Sequence, residues 1–324
     1  MRVSFYVEDQ LFFRFIGCAT AARTLYRALG GADGLELAWK RRTADADLVH
    51  YHTFGPLALH NRRSSRGVSV LTAHSTPRIN QGNIAFARRI NRLYPSIYAG
   101  FDHIVTVSEP CHREVSAMLP DTPITLIPNG VDREQFRPDP ELGADFREHH
   151  GIGADEQVVL SVAQMTPRKG IYDFFALAAR HPDIRFVWVG GLPYSVLSQD
   201  YARITALRER AGPNVLFTGY VDRIDAPYAA ADAFFMGSHA ETFGLVVLEA
   251  LSAGLPVVAR SIPEFREIFG SSILYFSTID EASALLGDDA ALASCRAGAR
   301  EATVPFDIRE IAARHAALYR SLAG

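Results

Sequence analysis

Glu241 and Glu249 stand eight positions apart in SHAETFGLVVLEALSAG, residues 238 to 254, on either side of a Gly-Leu turn that opens an apolar run. Carboxylates at that spacing are separated by up to ~12 Å along a helix axis, roughly the span from one sugar to the other across a pyrophosphate. Such a pair would grip both ends of a nucleotide sugar. Between them, the backbone N–H groups of Thr242, Phe243, Gly244 and Leu245 have no intrahelical acceptors and lie at the positive end of a helix dipole, where phosphates are favoured. By spacing alone, two glutamates on the solvated side of an ordinary helix fit as well, so the other residues have to decide.

A second group with chemistry is QMTPRKG, residues 164 to 170, in which Arg168 and Lys169 precede a glycine and the helical pattern IYDFFALAA. Arg offers a planar fork and Lys a mobile point charge, both suited to a pyrophosphate whose negative charge grows as its bond to the sugar breaks. His74 in TAHSTPR has an ordinary pKa near ~6.5 and would exchange a proton or a hydrogen bond with a substrate hydroxyl. His50 and His52 in VHYHT compete with it, or only pack. Gly17 in FIGCAT would let a phosphate or a hexose approach the backbone, a weak signal by itself.

Other chemistries lack their signatures. The G-x-G-x-x-G dinucleotide fingerprint, the Walker loop and the Gly-x-Ser-x-Gly elbow are all missing. Asp45-Ala-Asp47 is literally Asp-x-Asp, but it precedes the run LVHY and reads as the lead-in to a strand. His, Cys and Asp nowhere have metal-ligand spacing. Cys18, Cys111 and Cys295 are odd in number and far apart, as in a reducing cytoplasm, and are expected only to pack.

These residues need elements to hold them, and short apolar runs supply those elements. Val3 to Val7, Leu48 to Tyr51, Val68 to Thr72 and Ile104 to Val107 read as strands in the first half, with a helix near Phe15 to Leu29. Val158 to Ala163, Phe186 to Gly190, Val215 to Thr218, Ala233 to Met236, Val257 to Ala259 and Ile273 to Phe276 read as strands in the second. Strands alternating with helices imply parallel sheets, hence two doubly wound α/β domains facing a cleft. Ligands of such sheets bind beyond the carboxyl ends of the strands, which is where Gly17, His74, Arg168, Lys169 and Glu241 fall. The hinge is expected near Leu126 to Val131, giving domains 1–127 and 128–306. A last helix, about Asp307 to Leu322, returns to the first domain, which thus includes 307–324.

Length and composition agree with this frame. The 324 residues, 48% hydrophobic and 21% charged with a net charge of −3, suffice for two cores and exclude disorder. The N-terminus reads as a strand, not a signal peptide, and no run reaches the ~20 apolar residues of a membrane span. Charge is unevenly spread. Between Asp47 and Asp102 there is no acidic residue, whereas Arg62, Arg63, Arg66, Arg78, Arg88, Arg89 and Arg92 give the stretch +7, leaving 26 basic against 36 acidic residues elsewhere. Such a stretch points to an anionic partner, or is a solvated basic face.

Taken together, the residues resemble the retaining glycosyltransferases of GT-B fold, family 4, over nearly the whole chain. The resemblance is most specific at SHAETFGLVVLEALSAGLPVV, IPNGVD and PRKG. It implies that Glu241 contacts the donor hexose and Glu249 the nucleotide ribose. It further implies that Lys169, with Arg168, holds the diphosphate, that His74 lies beside the hexose at the reaction centre, and that Gly17 is the phosphate-approach glycine. Where the family has Gly-Arg before this loop the chain has Ala163-Gln164, which weakens the expected phosphate clamp unless Arg168 substitutes. A narrower resemblance, in RKGIYDFFALAARHPDIRFVWVGG, ALSAGLPVVARSIPEF and AHST, is to bacterial glycolipid synthases that glycosylate diacylglycerol.

The resulting expectation is metal-independent, cofactor-free transfer of a hexose from a nucleotide diphosphate sugar, UDP-linked by preference, to a hydroxyl of a membrane lipid such as diacylglycerol. A soluble or polysaccharide acceptor and a non-catalytic nucleotide-sugar-binding subunit are the alternatives. The protein is expected in the cytoplasm, peripheral on the inner face of the membrane. It would meet that anionic surface through the region from Arg62 to Arg92, where Ile84, Phe86, Ile90, Leu93, Tyr94, Ile97 and Tyr98 interleave with arginines as in an interfacial helix.

Overall fold

The structure, a computed structural model, describes residues 1–8, 17–40, 45–80, 91–192 and 198–323. The backbone divides into two compact units, Met1–Gly130 with Phe306–Gly324, and Val131–Pro305. In the first, β1 (Arg2–Tyr6), β2 (Glu36–Trp39), β3 (Leu48–Tyr51), β4 (Val68–Ala73), β5 (His103–Thr106) and β6 (Ile124–Leu126) form one sheet. Their order is β2-β1-β3-β4-β5-β6 and every pair is parallel.

In the second unit β7 (Val158–Val162), β8 (Arg185–Val189), β9 (Val215–Gly219), β10 (Ala233–Met236), β11 (Val257–Arg260) and β12 (Leu274–Phe276) form another parallel sheet. Its order is β12-β11-β10-β7-β8-β9. This is the doubly wound order in which the chain first grows outward from β7 and then returns to build the other half from β10. β7 and β10 are therefore neighbours whose connections leave in opposite directions, opening a crevice at their carboxyl ends. The first sheet has the corresponding switch between β1 and β3.

The strands read from apolar runs are present because helices cover both sheet faces, so a central strand is buried on both sides and written in continuous apolar residues. β3 and β10 are buried along their whole length. β2 and β6 were not legible in this way. β2 is a half-exposed edge strand of four residues, and β6 has only three, all partly exposed.

Each unit has its own apolar core. Phe174, Phe186 and Trp188 pack edge to face in the second, each burial contributing roughly 1.5–3 kcal/mol. The final helix, Ile308–Ala323, lies against the Gly17–Leu29 helix and inserts Ile311, Ala316 and Tyr319 beside Val3, Phe5 and Leu25 of the first unit.

Candidate functional site

In the second unit the loops after β7 and β10 bring three predicted residues together. The first loop closes as a 3-10 turn, Pro167–Lys169, with Lys169 N–H bonded to Thr166 O and Gly170 N–H to Pro167 O at 3.0 Å. Gly170, at φ +78°, then reverses the chain into the Ile171–Arg180 helix. The turn places Lys169 Nζ 2.5 Å from Glu241 Oε1. Arg168 Nη1 lies 3.6 Å from the same oxygen and donates to Ala240 O at 2.7 Å.

Burial penalises both charges of this pair. Burial alone would raise the Glu241 pKa, but Lys169, Arg168 and a bond from Ser238 outweigh it and hold the carboxyl below its ordinary value. Lys169 is drawn below its usual range by burial, which Glu241 offsets only in part. The site is thus an ionised carboxylate under two cations at the start of a helix, with little water to screen it.

A second set of contacts fixes the two loops, and sequence reasoning missed its members. Arg260, at the end of β11, donates from Nη2 to Asp173 Oδ2 at 2.5 Å and from Nε to Gly237 O at 3.2 Å. His239 N–H bonds to Arg168 O at 2.8 Å, and His239 Nε2 stands 3.6 Å from Asp173. Burial would raise the Asp173 pKa, yet His239 and Arg260 keep it low. Only the position of Asp173, one helical turn after Lys169, was a signal for any of these.

The turn at Thr242, Phe243, Gly244 and Leu245 leads into a short helix, Leu245–Ser252. Gly244 has φ +94°, and a Cβ there would meet Phe265 at 2.6 Å, so both backbone and packing require glycine. Glu249 does not lie on a solvated face. It is buried and accepts a 2.6 Å hydrogen bond from the Tyr228 hydroxyl. Burial pushes its carboxyl up to about 7, against the lowering effect of that bond.

The first unit holds Gly17 and His74. Gly17 is exposed at the first position of its helix, with open space where a Cβ would stand. His74 follows β4, and its Nε2 lies 3.0 Å from His52 Nδ1. His52 thus packs and hydrogen-bonds beside His74, with His50 behind it. The His50 ring packs 4.1 Å from that of His52 and is hydrogen-bonded to Tyr319 and Thr72, each at 2.6 Å. Burial lowers His50 and His52 well below the ordinary value and takes His74 and His315 to about 4. This is a neutral imidazole cluster.

The arginine-rich stretch is not one uniform face. Arg62 is drawn inward, its guanidinium 5.4 Å from the centre of the Phe101 ring, and Arg78 pairs with Glu114 at 3.8 Å. Arg63, Arg66 and Arg92 are exposed, as are Leu57 and Leu93. The expected interfacial helix needs correction. Tyr94 and Tyr98 are buried with Ile97 packed against the same core, because both tyrosine hydroxyls find partners at Ser75. Ile84, Phe86, Arg88, Arg89 and Ile90 lie outside the described residues. Asp47 bonds the backbone N–H of Arg2 at 2.7 Å, a structural use. Among the described residues no cluster of His, Cys, Asp or Glu has metal-site geometry, and no helix is long and apolar enough to cross a membrane.

Residues 144–278 match the family Glycosyl transferases group 1, and residues 17–135 match Glycosyltransferase Family 4. The chain is 31% identical over 265 residues to the alpha-galactosylglucosyldiacylglycerol synthase of Streptococcus pneumoniae, covering 78% of this chain and 70% of that one. It is 29% identical over 274 residues to the processive diacylglycerol alpha-glucosyltransferase of Acholeplasma laidlawii, covering 82% and 81%. In fold it is similar to Anabaena HepE, crystallised with UDP and glucose, with a TM-score of 0.81 at 19% identity over 99% of each chain.

Proposed function

The chain belongs to the group 1, family 4 glycosyltransferases, and from that premise we propose that it moves a hexose from a nucleotide diphosphate sugar to a hydroxyl of a membrane lipid, with retention at the anomeric carbon and without a metal. The observation that carries the reading is the part-buried Lys169–Glu241 pair at the β7/β10 switch point, 2.5 Å between charged atoms, with Arg168 beside it. A diphosphate arriving at Lys169 competes with Glu241 for the ammonium, and the carboxylate then turns to the hexose hydroxyls. As the sugar–phosphate bond breaks, charge accumulates on the departing diphosphate, where Lys169 and Arg168 stabilise it. Arg168 takes the part of the family arginine replaced by Gln164. Thr242, Phe243, Gly244 and Leu245 direct backbone N–H groups to the phosphates and Glu249 holds the ribose, while Gly17 and His74 are the candidate ligand-contacting residues of the first unit. This last unit is assigned to the acceptor.

A diacylglycerol-type acceptor is supported by the names of both curated relatives. Exposed Arg63, Arg66 and Arg92 with Leu57 and Leu93 suit an anionic headgroup surface, at about 1 kcal/mol per arginine. On this reading the protein works at the inner face of the cell membrane. Uridine is the favoured base, the one held by the structural neighbour.

The test is incubation of the protein with radiolabelled UDP- and GDP-hexoses and vesicles containing diacylglycerol, followed by lipid chromatography with and without EDTA. An α-linked labelled glycolipid, undiminished by EDTA, is the expected product. Donor binding with no transfer to lipid would overturn the lipid reading, and a β-linked product would overturn retention.

A further inference from the structure

We propose that Tyr228 is a positioning residue that orients the Glu249 carboxylate toward the ribose hydroxyls of the donor, an inference that rests on the ribose reading of Glu249. The Tyr228 hydroxyl donates to Glu249 Oε2 at 2.6 Å across two helices, Asp225–Ala230 and Leu245–Ser252. Among the described residues the other acceptor near that hydroxyl, Val246 O, lies at the outer limit of 3.5 Å, so the proton goes to the carboxylate.

The hydroxyl has little freedom to point elsewhere. The Tyr228 ring is 1% exposed, stacked on Phe234 at 5.7 Å and met edge-on by Phe136 at 5.4 Å. Phe234 belongs to β10, the strand that also delivers Glu241, so one strand sets both glutamates. A Phe at 228 would fill the same space, and the hydroxyl adds only the bond to Glu249. That bond matters because the last torsion of a glutamate is soft, and a carboxylate offers about four lone-pair sites. One is taken by Tyr228, which fixes the plane of the carboxylate and leaves the other oxygen for hydroxyl donors.

The experiment pairs a protein change with a ligand change. UDP and 2′,3′-dideoxy-UDP are titrated against the wild-type protein, Tyr228→Phe and Glu249→Gln, with melting temperatures recorded to confirm folding. Tyr228→Phe is expected to weaken UDP about tenfold, the value of one hydrogen bond to a charged group. It should leave dideoxy-UDP binding and kcat at saturating donor unchanged. Equal weakening of both nucleotides would mark a general structural role and overturn the proposal. Unchanged UDP binding in Tyr228→Phe, with weak binding in Glu249→Gln, would overturn it while leaving the ribose reading intact. Wild-type UDP affinity in Glu249→Gln would instead remove the ribose reading, and the proposal with it.

Discussion

Gly170 and Gly237 meet backbone to backbone: a Cβ built on Gly170 would stand 2.5 Å from the carbonyl carbon of Gly237. The contact joins the loop after β7 to the end of β10, and it is what brings Lys169 onto Glu241. Gly170 also sits at φ +78°, where an L side chain is strained.

Gly170→Ala is therefore expected to lose about 3 kcal/mol, combining left-handed strain with overpacking, and to lose most transferase activity. Gly237→Ala is the milder comparison, since its Cβ contacts are 3.1 Å or longer. Urea unfolding of the two variants tests the order; equal losses would show that the close approach is not limiting.

Lys169→Ala should lower turnover by roughly 10²-fold or more with the fold intact, the scale of removing one electrostatic stabiliser of a transition state. Glu241→Ala should also abolish turnover, but it leaves the part-buried Lys169 without its carboxylate, at about 2 kcal/mol. The double change Lys169→Met with Glu241→Leu should recover stability without recovering activity. Thermal melts beside single-turnover rates distinguish these effects.

Donor binding should depend on pH through Glu249. Its carboxyl is raised to about 7 by burial, and the ionised form is much the stronger acceptor for the ribose hydroxyls. Affinity for UDP should thus fall by up to tenfold per pH unit below about 7 and level off above it. Glu249→Gln should bind more weakly with a flat profile. Calorimetry between pH 6 and 8 measures both, and a flat wild-type profile would remove Glu249 from the ribose.

The histidine cluster should make the first unit acid-sensitive. His74 and His315 have folded values of about 4 against about 6.5 when unfolded. The unfolded chain thus binds more protons between those values, and stability is complete above pH 6.5 and lost as pH falls toward 4. At pH 5 His315 alone accounts for about 2 kcal/mol. Hydrogen exchange of β1, β3 and β4 at pH 7 and pH 5 measures the loss, which His315→Gln should reduce.

Much of the frame is legible in the sequence. The apolar runs delimit β3 and β10 to the residue, and the loops carrying Lys169, Glu241 and His74 lie at strand ends, as their places after those runs imply. The partners of those residues were not legible. Nothing in the spacing tied Tyr228 to Glu249, Arg260 to Asp173 or His52 to His74, because those contacts join residues 21, 87 and 22 positions apart. The basic stretch also read as more uniform than it is, since charge in a sequence does not say that Arg62 turns inward to Phe101.

By itself, then, the sequence determined the alternation of strands and helices, the two sheets they imply and the types of residue at the strand ends. Each depends on local period and covalent spacing, which a linear string records. Only the tertiary structure decided that Lys169 and Glu241, 72 residues apart, share one part-buried charge pair, that Glu249 is enclosed beneath a tyrosine, and that three further histidines stand behind His74. Those outcomes follow from strand order and from which loops pack against one another, and close packing sets them through contacts between distant parts of the chain.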